Sequence, residues 1–193
     1  YNISFYKISL LKNIPIGAGL GGGSSDAVAV LKAVNELEQL NISKEELTKL
    51  AAELGSDCPF FCSADSALVT GRGEFISPIE FDIKGKFILL VNPNIHISTA
   101  EAYGSLNLSE TTQSSLDWTS KESDWQESWI NDFEKALGEK YPALQRIKQT
   151  LINSGAFYAS LSGSGSSVFG IFNVKPEKNL FLEKGFSEWI LPL

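Results

Sequence analysis

The chain has 193 residues, 43% of them hydrophobic, which is enough to bury a core as one large domain or two small ones. Its formal net charge is −7 at pH 7. An acidic chain gains nothing from nucleic-acid phosphates, so we expect no nucleic-acid partner. No apolar run approaches the roughly 20 residues that cross a membrane, so we expect no membrane association and a cytoplasmic protein.

The first part of the chain is predicted to contain a strand, two helices and two further short strands, in that order. Apolar and polar residues alternate over 3–11, which predicts a strand, and helical spacing of apolar residues predicts a helix over 24–40. Ser43 and Glu46 form a capping box for a second helix that ends near Gly55. Three short elements should follow: strands at 60–62 and 67–70 and a turn at 71–74.

The remainder of the chain also contains both helix and strand patterns. Over the whole chain the strands do not alternate strictly with helices, so α+β is the predicted fold class. We expect a buried strand over 86–91, then a short helix capped by Ser98 or Thr99. Residues 107–124 are polar and lack periodicity, which indicates a loop or weakly ordered segment. Beyond it we predict helices at 125–137 and 142–153, strands at 157–161 and 168–172, and a last helix from Pro176.

A glycine-rich run between the first predicted strand and helix is the strongest motif. It has five glycines in the seven positions 17–23, and glycines let backbone N–H groups approach a bulky anion closely. The helix that follows adds its free N–H groups and positive dipole end, so we predict a phosphate-binding loop, with a flexible structural turn as the alternative. The predicted binding residues are Pro15, Ile16, Gly17, Ala18, Gly19, Leu20, Gly21, Gly22, Gly23, Ser24 and Ser25, and the Ser25 hydroxyl is a candidate Mg²⁺ ligand.

Other phosphate-loop types fit this run poorly. No Gly-Lys-Ser/Thr follows it, so it is not a Walker A loop. Gly17, Gly19 and Gly22 satisfy the dinucleotide pattern G-x-G-x-x-G, but that fold also needs an acidic residue about 20 positions on, at a strand end. Here residues 43–46 begin a helix. The protein-kinase motifs H-R-D and D-F-G are also absent.

The loop G-A-G-L-G-G-G-S-S-D resembles the signature of the GHMP kinases (galactokinase, homoserine kinase, mevalonate kinase and relatives). Its triple glycine is similar to one branch, the 4-diphosphocytidyl-2-C-methyl-D-erythritol kinases of non-mevalonate isoprenoid synthesis. The resemblance implies a GHMP kinase fold in two domains. Residues 1–78 would be the remainder of an ATP-binding domain like ribosomal protein S5 domain 2, and residues 79–193 a ferredoxin-like α/β C-terminal domain.

Two further segments match the family. The run Gly55–Phe61 resembles the family motif G-A-D-x-P-F-F, whose aspartate is the proposed catalytic base. Asp57 has that position, although by itself the sequence favours an aspartate that caps a turn. The segment 161–169, between two strands, resembles the motif M-S-G-S-G-x-x-V-F, which packs against the phosphate loop, although a plain hairpin remains open. Its predicted binding residues are Ser162, Gly163, Ser164 and Gly165.

The segment 98–103 resembles the family segment that borders the nucleotide end of the substrate. By that match Tyr103 would stack on cytosine with Thr99 nearby, and a plain helix residue is the alternative for Tyr103. Asn131 and its neighbours also fit the family, and we assign them to structure or the site edge. We expect His96 to be a surface residue.

The resemblance implies a kinase that transfers the γ-phosphoryl of ATP, with Mg²⁺, to the 2-hydroxyl of 4-diphosphocytidyl-2-C-methyl-D-erythritol. The alternatives are another GHMP kinase, of homoserine or mevalonate type, and a non-catalytic nucleotide-binding protein. The family's first motif, with a lysine and a cytosine-binding stretch, is absent, and the chain has no methionine. We therefore expect a C-terminal portion that is inactive alone. Cys58 and Cys62 are expected to be reduced, buried thiols.

Overall fold

The computed structural model describes residues 1, 3–63, 66–107, 117, 119–181 and 185–193. The chain divides into two compact units, one formed by Tyr1–Ile16 and Gly21–Phe81 and the other by Gly17–Leu20 and Asp82–Leu193. The domain boundary between residues 78 and 79 stays a prediction. In the part of the chain described, no helix has the length and apolar character needed to cross a membrane.

The described residues of the first unit form three helices and a hairpin. The helices are α1 (Gly22–Leu37), α2 (Lys44–Leu54) and α3 (Cys58–Cys62), and the antiparallel strands are β1 (Ala67–Thr70) and β2 (Phe75–Pro78). Val28 on α1 and Ala51 on α2 pack with the two cysteines of α3 in a small core. Both cysteines are free and buried, as expected.

The N-cap half of the capping box at the start of α2 is confirmed, because Ser43 Oγ accepts a hydrogen bond from the Glu46 N–H at 3.3 Å and Gly55 ends the helix. The Glu46 carboxylate pairs with Lys49 Nζ at 3.5 Å. The strand predicted at 60–62 is wrong, since these residues belong to α3. A short apolar run does not distinguish a strand from a buried helical turn, and Pro59 lies in the first turn, where proline favours a helix.

The strand predicted over residues 3–11 is also wrong, because these residues have no regular secondary structure. Alternation describes side chains, whereas a strand also needs a neighbouring backbone to bond with. No such neighbour pairs with this segment among the described residues. Its anchors to α1 include the carboxylate of Glu38, which accepts the Ser4 N–H at 3.0 Å and the Tyr6 hydroxyl.

Helix α1 covers a different range from the predicted 24–40. It begins two residues earlier, after Gly21 in the left-handed conformation (φ 63°). It ends three residues earlier, at Leu37. Gln39 and Asn41 have positive φ angles of 50° and 52°, which are incompatible with a continued helix.

The described part of the second unit is a four-stranded antiparallel sheet with helices. Its strands are β3 (Phe87–Asn92), β4 (Tyr158–Leu161), β5 (Val168–Phe172) and β6 (Ser187–Pro192), in the spatial order β4-β5-β3-β6. This order is consistent with a ferredoxin-like sheet. The α-helices are α4 (Thr99–Gly104), α5 (Trp125–Ser128), α6 (Phe133–Lys140) and α7 (Pro142–Asn153), with a 3₁₀ turn at Glu122–Asp124.

The core of this unit lies between α7 and the sheet. Ile147 and Leu151 of α7 are buried in one cluster with Leu89 and Val91 of β3 and Leu137 of α6. The helix predicted at 142–153 and the two strands predicted at 157–161 and 168–172 are confirmed, with β4 starting one residue late.

Two predictions in this unit are wrong. The helix expected over 125–137 is broken into α5 and α6, because Asn131 accepts the Phe133 N–H and begins a new helix. Residues 176–181 contain no helix, since Asn179 has a φ of 61° and the carboxylate of Glu188 binds nearby N–H groups. Most of the predicted polar loop 107–124 lies outside the described residues.

Candidate functional site

Helix α1 begins without a side-chain cap, because its N-cap residue is Gly21. The first helical hydrogen bond runs from the Ser25 N–H to the Gly21 carbonyl at 2.9 Å. The N–H groups of Gly22, Gly23 and Ser24 precede it and have no acceptor within the helix. The first turn contains no acidic residue. Together with the helix dipole, these donors can bind an anion.

The free space beside these donors differs between Gly22 and Gly23. A Cβ at Gly23 would meet nothing within 4 Å, whereas one at Gly22 would lie 3.0 Å from Ile14 Cδ1 and 3.4 Å from Lys12 Nζ. Lys12 forms an ion pair with Asp26, and this puts an ammonium group beside the start of α1. Sequence analysis missed Lys12, because its approach depends on the path of the chain before the loop.

Asp57 is the exposed N-cap residue of α3, and its side chain makes no cap hydrogen bond. This observation disfavours the capping role that the sequence alone suggested. The backbone just before it is packed closely, since a Cβ at Gly73 would lie 2.2 Å from the Ser56 carbonyl oxygen. Further along α3, Phe61 Cζ lies 2.9 Å from a Cβ position at Gly21. The helix that begins at Asp57 therefore contacts the end of the glycine-rich loop.

The middle of the loop lies against the second glycine turn, as the family resemblance implied. Gly19 has a φ of 75°, and a Cβ there would lie 1.9 Å from the Ser162 carbonyl oxygen and 2.9 Å from that of Gly165. Ser162 Oγ donates to the Gly19 carbonyl at 2.8 Å, and the Ser167 N–H donates to the Ala18 carbonyl at 3.1 Å. Only glycine permits this approach of two backbones.

Helix α4 carries both predicted substrate contacts. Of the two predicted caps Ser98 is confirmed, because its Oγ accepts the Glu101 N–H at 3.1 Å. Thr99, the first residue of the helix, is exposed. Tyr103 is 62% exposed and its ring packs edge-on against Phe133 with 5.1 Å between ring centroids. The Tyr103 ring therefore has an aromatic neighbour while much of its side chain remains accessible.

The carboxylate of Glu101 links α4 to the end of α6. It accepts hydrogen bonds from Lys140 Nζ at 2.7 Å and from the Tyr141 hydroxyl. These bonds, that of Lys140 first, lower the pKa of Glu101 below its usual value, and Glu101 in turn raises the pKa values of Lys140 and Tyr141. His96 is exposed as expected, and its ring lies 3.7 Å from a Cβ position at Gly17.

Each unit thus brings some of the predicted site residues together. In the first unit, α3 connects Asp57 to Gly21 at the start of α1. In the second unit, the loop residues 17–20 lie on the glycine turn, while Thr99 and Tyr103 share α4. The roles of these residues stay predictions. The described residues contain no group of three or more His, Cys, Asp or Glu side chains able to hold a metal ion.

Comparison with known proteins identifies the family. The model of the GHMP kinases N terminal domain matches residues 1–65, and that of the GHMP kinases C terminal matches residues 114–187. Two similar proteins are each named 4-diphosphocytidyl-2-C-methyl-D-erythritol kinase. The one from Azobacteroides pseudotrichonymphae is 49% identical, over 89% of this chain and 65% of its own length. The one from Parabacteroides distasonis is 43% identical, over 94% and 68%.

Solved structures show the same fold. A crystal structure of 4-(cytidine 5'-diphospho)-2C-methyl-D-erythritol kinase matches with a TM-score of 0.70 and 29% identity, covering 82% of this chain and 59% of that one. A homoserine kinase from Cytophaga hutchinsonii also has a TM-score of 0.70, at 18% identity, covering 93% and 67%. The backbone alone therefore does not separate these substrates.

The chain belongs to the GHMP kinases, with an α+β fold of that family. Within the family, its similarity to 4-diphosphocytidyl-2-C-methyl-D-erythritol kinases reaches 41–49% identity among eight such relatives. The chain spans about two thirds of the length of these relatives, 65% and 68% for the two described above.

Two glycine substitutions test the geometry of the loop. Gly19→Ala should lower the free energy of unfolding by at least about 2 kcal/mol, because it adds strain at positive φ to a clash with backbone atoms. Gly23→Ala should cause no loss, because its Cβ enters open space and alanine favours a helix. Urea unfolding followed by far-ultraviolet circular dichroism measures both. Equal stability of the two variants would contradict the described packing at Gly19.

Proposed function

We propose that this chain is part of an ATP-dependent kinase that phosphorylates the 2-hydroxyl of 4-diphosphocytidyl-2-C-methyl-D-erythritol, in non-mevalonate isoprenoid biosynthesis. The observation that carries the proposal is the uncapped start of α1 behind a glycine-rich loop, in a chain 49% identical to a relative with that name. The protein would act in the cytoplasm on a small-molecule substrate.

The loop would hold the ATP phosphates through its backbone. The N–H groups of Gly22, Gly23 and Ser24 are available at the helix start, and the open space at Gly23 admits a phosphate group. The other loop residues, 15–21, would surround the same phosphates. Mg²⁺, when bound, would neutralise phosphate charge, and the Ser25 hydroxyl is its candidate ligand in this chain.

Asp57 would be the general base. In the transfer, the acceptor hydroxyl oxygen forms a bond to the γ-phosphorus, the bond from that phosphorus to the β,γ-bridging oxygen breaks, and ADP leaves. The hydroxyl proton passes to the Asp57 carboxylate, which is exposed and makes no cap hydrogen bond that would compete for it. An aspartate at a helix start is also held at a defined position by the backbone.

The remaining predicted residues would orient the two substrates. The turn of Ser162, Gly163, Ser164 and Gly165 holds Gly19, and would keep the loop residues 17–20 in place before ATP arrives. Tyr103 would stack on the cytosine ring, with Thr99 beside it. Base–aromatic stacking contributes about 1–3 kcal/mol, enough to favour a cytidyl substrate over one without a base.

Two alternatives remain in the same fold. A homoserine or mevalonate type of GHMP kinase would share the loop but would not need an exposed aromatic side chain such as Tyr103. A non-catalytic nucleotide-binding protein would keep the loop without needing Asp57. Both alternatives make predictions that differ from the proposal in simple assays.

Acceptor selection tests the substrate. The protein made from its complete reading frame should consume ATP with the cytidyl substrate and not with homoserine or mevalonate, measured by coupled detection of ADP. Turnover with one of the other alcohols only would overturn the substrate while keeping the kinase. ATP binding without turnover of any of the three would favour the non-catalytic alternative.

Replacement of the proposed base tests the mechanism. Asp57→Asn should lower kcat by about 10²–10⁴-fold, because the amide cannot accept the proton. Asp132→Asn is the matched control, since Asp132 is likewise an exposed N-cap residue in helical conformation without a side-chain cap bond. An unchanged kcat in the Asp57 variant would remove this residue from the mechanism.

The open space at Gly23 tests the phosphate site. Gly23→Ala should weaken ATP binding about tenfold or more, because the added methyl group occupies the position of a phosphate without disturbing the fold. Gly104→Ala is the control, since Gly104 is also helical with nothing within 4 Å of its Cβ position. Isothermal titration with ATP measures both variants. Normal ATP affinity of the Gly23 variant would place the phosphates elsewhere.

A further inference from the structure

The edge of strand β4 is covered by side chains. In the sheet order β4-β5-β3-β6, β4 has a strand neighbour on one side only among the described residues. On its open side Gln126 bonds twice to Ala159: its Nε2 donates to the carbonyl at 3.2 Å, and its Oε1 accepts the N–H at 2.8 Å. The amide side chain thus takes the place of a neighbouring strand.

Two residues near the start of α6 continue this contact towards the glycine turn. Asn131 Nδ2 donates to the Leu161 carbonyl at 2.9 Å and to the Gly163 carbonyl at 2.8 Å. Glu134 Oε1 accepts the Leu161 N–H at 2.8 Å and the Ser160 hydroxyl at 2.9 Å, while its other oxygen pairs with Lys148. The last residue of β4 is therefore held at both of its backbone polar groups.

The contact of Asn131 goes beyond what covering a strand edge requires. Strand β4 ends at Leu161, yet the amide of Asn131 also reaches Gly163, inside the turn. A Cβ at Gly163 would lie 3.1 Å from the Gly19 carbonyl oxygen, and the adjacent Ser162 hydroxyl donates to that same oxygen. Asn131 is thus connected to the glycine-rich loop through Gly163, which contacts both.

Asn131 also has a fixed orientation. Its Oδ1 accepts the Phe133 N–H at 3.0 Å, so the oxygen is directed to helix α6. The amide nitrogen is directed to the end of β4 and to the turn, where it donates to the Leu161 and Gly163 carbonyls. An amide is the side chain that supplies an acceptor on one side and two donors on the other. Aspartate would keep the acceptor for the Phe133 N–H and lose the donors to the Leu161 and Gly163 carbonyls.

We propose that Asn131 is a positioning residue of the ATP site, acting with Glu134 to fix the glycine turn against Gly19. This inference rests on the proposed function, because it assigns to these residues the preorganisation of a loop that binds ATP phosphates. Loss of the amide donors leaves the Gly163 carbonyl of the turn without this partner, and the Leu161 carbonyl keeps only the Ser160 hydroxyl at 3.3 Å. The turn is then less firmly held, which permits the loop to leave its binding geometry.

The test compares two amide-to-acid changes on the same strand edge. Asn131→Asp should raise KM for ATP about tenfold, with KM for the cytidyl acceptor changed less than about twofold, since only the loop is affected. Gln126→Glu removes the donor to Ala159 in the same way but has no contact with the turn. It should leave KM for ATP within about twofold even where it lowers the melting temperature equally.

Glu134 supplies a rescue experiment in the same protein. Glu134→Gln keeps Oε1 as an acceptor for Leu161 and Ser160 and should retain near-normal KM for ATP, whereas Glu134→Leu should raise it. Lys148→Gln, which removes only the pair at the other oxygen, should behave like Glu134→Gln.

The outcomes separate this inference from the proposed function. If the unaltered protein phosphorylates the cytidyl substrate and Asn131→Asp has a normal KM for ATP, the positioning role is wrong and the kinase assignment stands. If Asn131→Asp and Gln126→Glu raise KM equally, both residues act on stability alone and the inference is overturned. If the unaltered protein neither binds ATP nor consumes it, the proposed function fails, and the inference fails with it.

Discussion

The close approach of two backbones at Gly19 is the constraint on which the candidate site depends. The Cα of Gly19 lies where any side chain would overlap the Ser162 carbonyl, and two hydrogen bonds hold Ala18 and Gly19 on the turn. Residues 17–20 consequently belong to the second unit, although the chain on both sides of them belongs to the first. Glycine at position 19 therefore meets a steric requirement of the fold, whereas Gly23 borders open space at the helix start.

Local charge explains how an acidic chain can accept a polyanion. The net charge is −7, but the first turn of α1 contains no acid and presents unbonded N–H groups. Lys12 brings an ammonium group to the same helix end and is held there by Asp26. A cation at the positive end of a helix dipole is unfavourable by itself. A bound phosphate would relieve that repulsion, which agrees with the proposed role of the loop.

Two carboxylates organise the helices of the second unit. Glu101 would ordinarily complete a capping box, yet its side chain binds Lys140 and Tyr141 at the end of α6. Its lowered pKa shows that the ionised form is the one these donors stabilise. Glu134 similarly joins α6 to β4. Helix α6 thus links the helix of Tyr103 to the strand that enters the glycine turn.

The sequence by itself determined the features that depend on neighbouring residues: the Ser43 cap of α2, the helix at 142–153 and the family signature. It could not determine whether residues 3–11 pair with another strand, or whether the apolar run at 60–62 is helical, because both depend on distant backbone. Only the tertiary structure brought Asn131 to Gly163 and Lys12 to Gly22. Such contacts join residues far apart in the chain, and no local pattern encodes which distant group a polar side chain will meet.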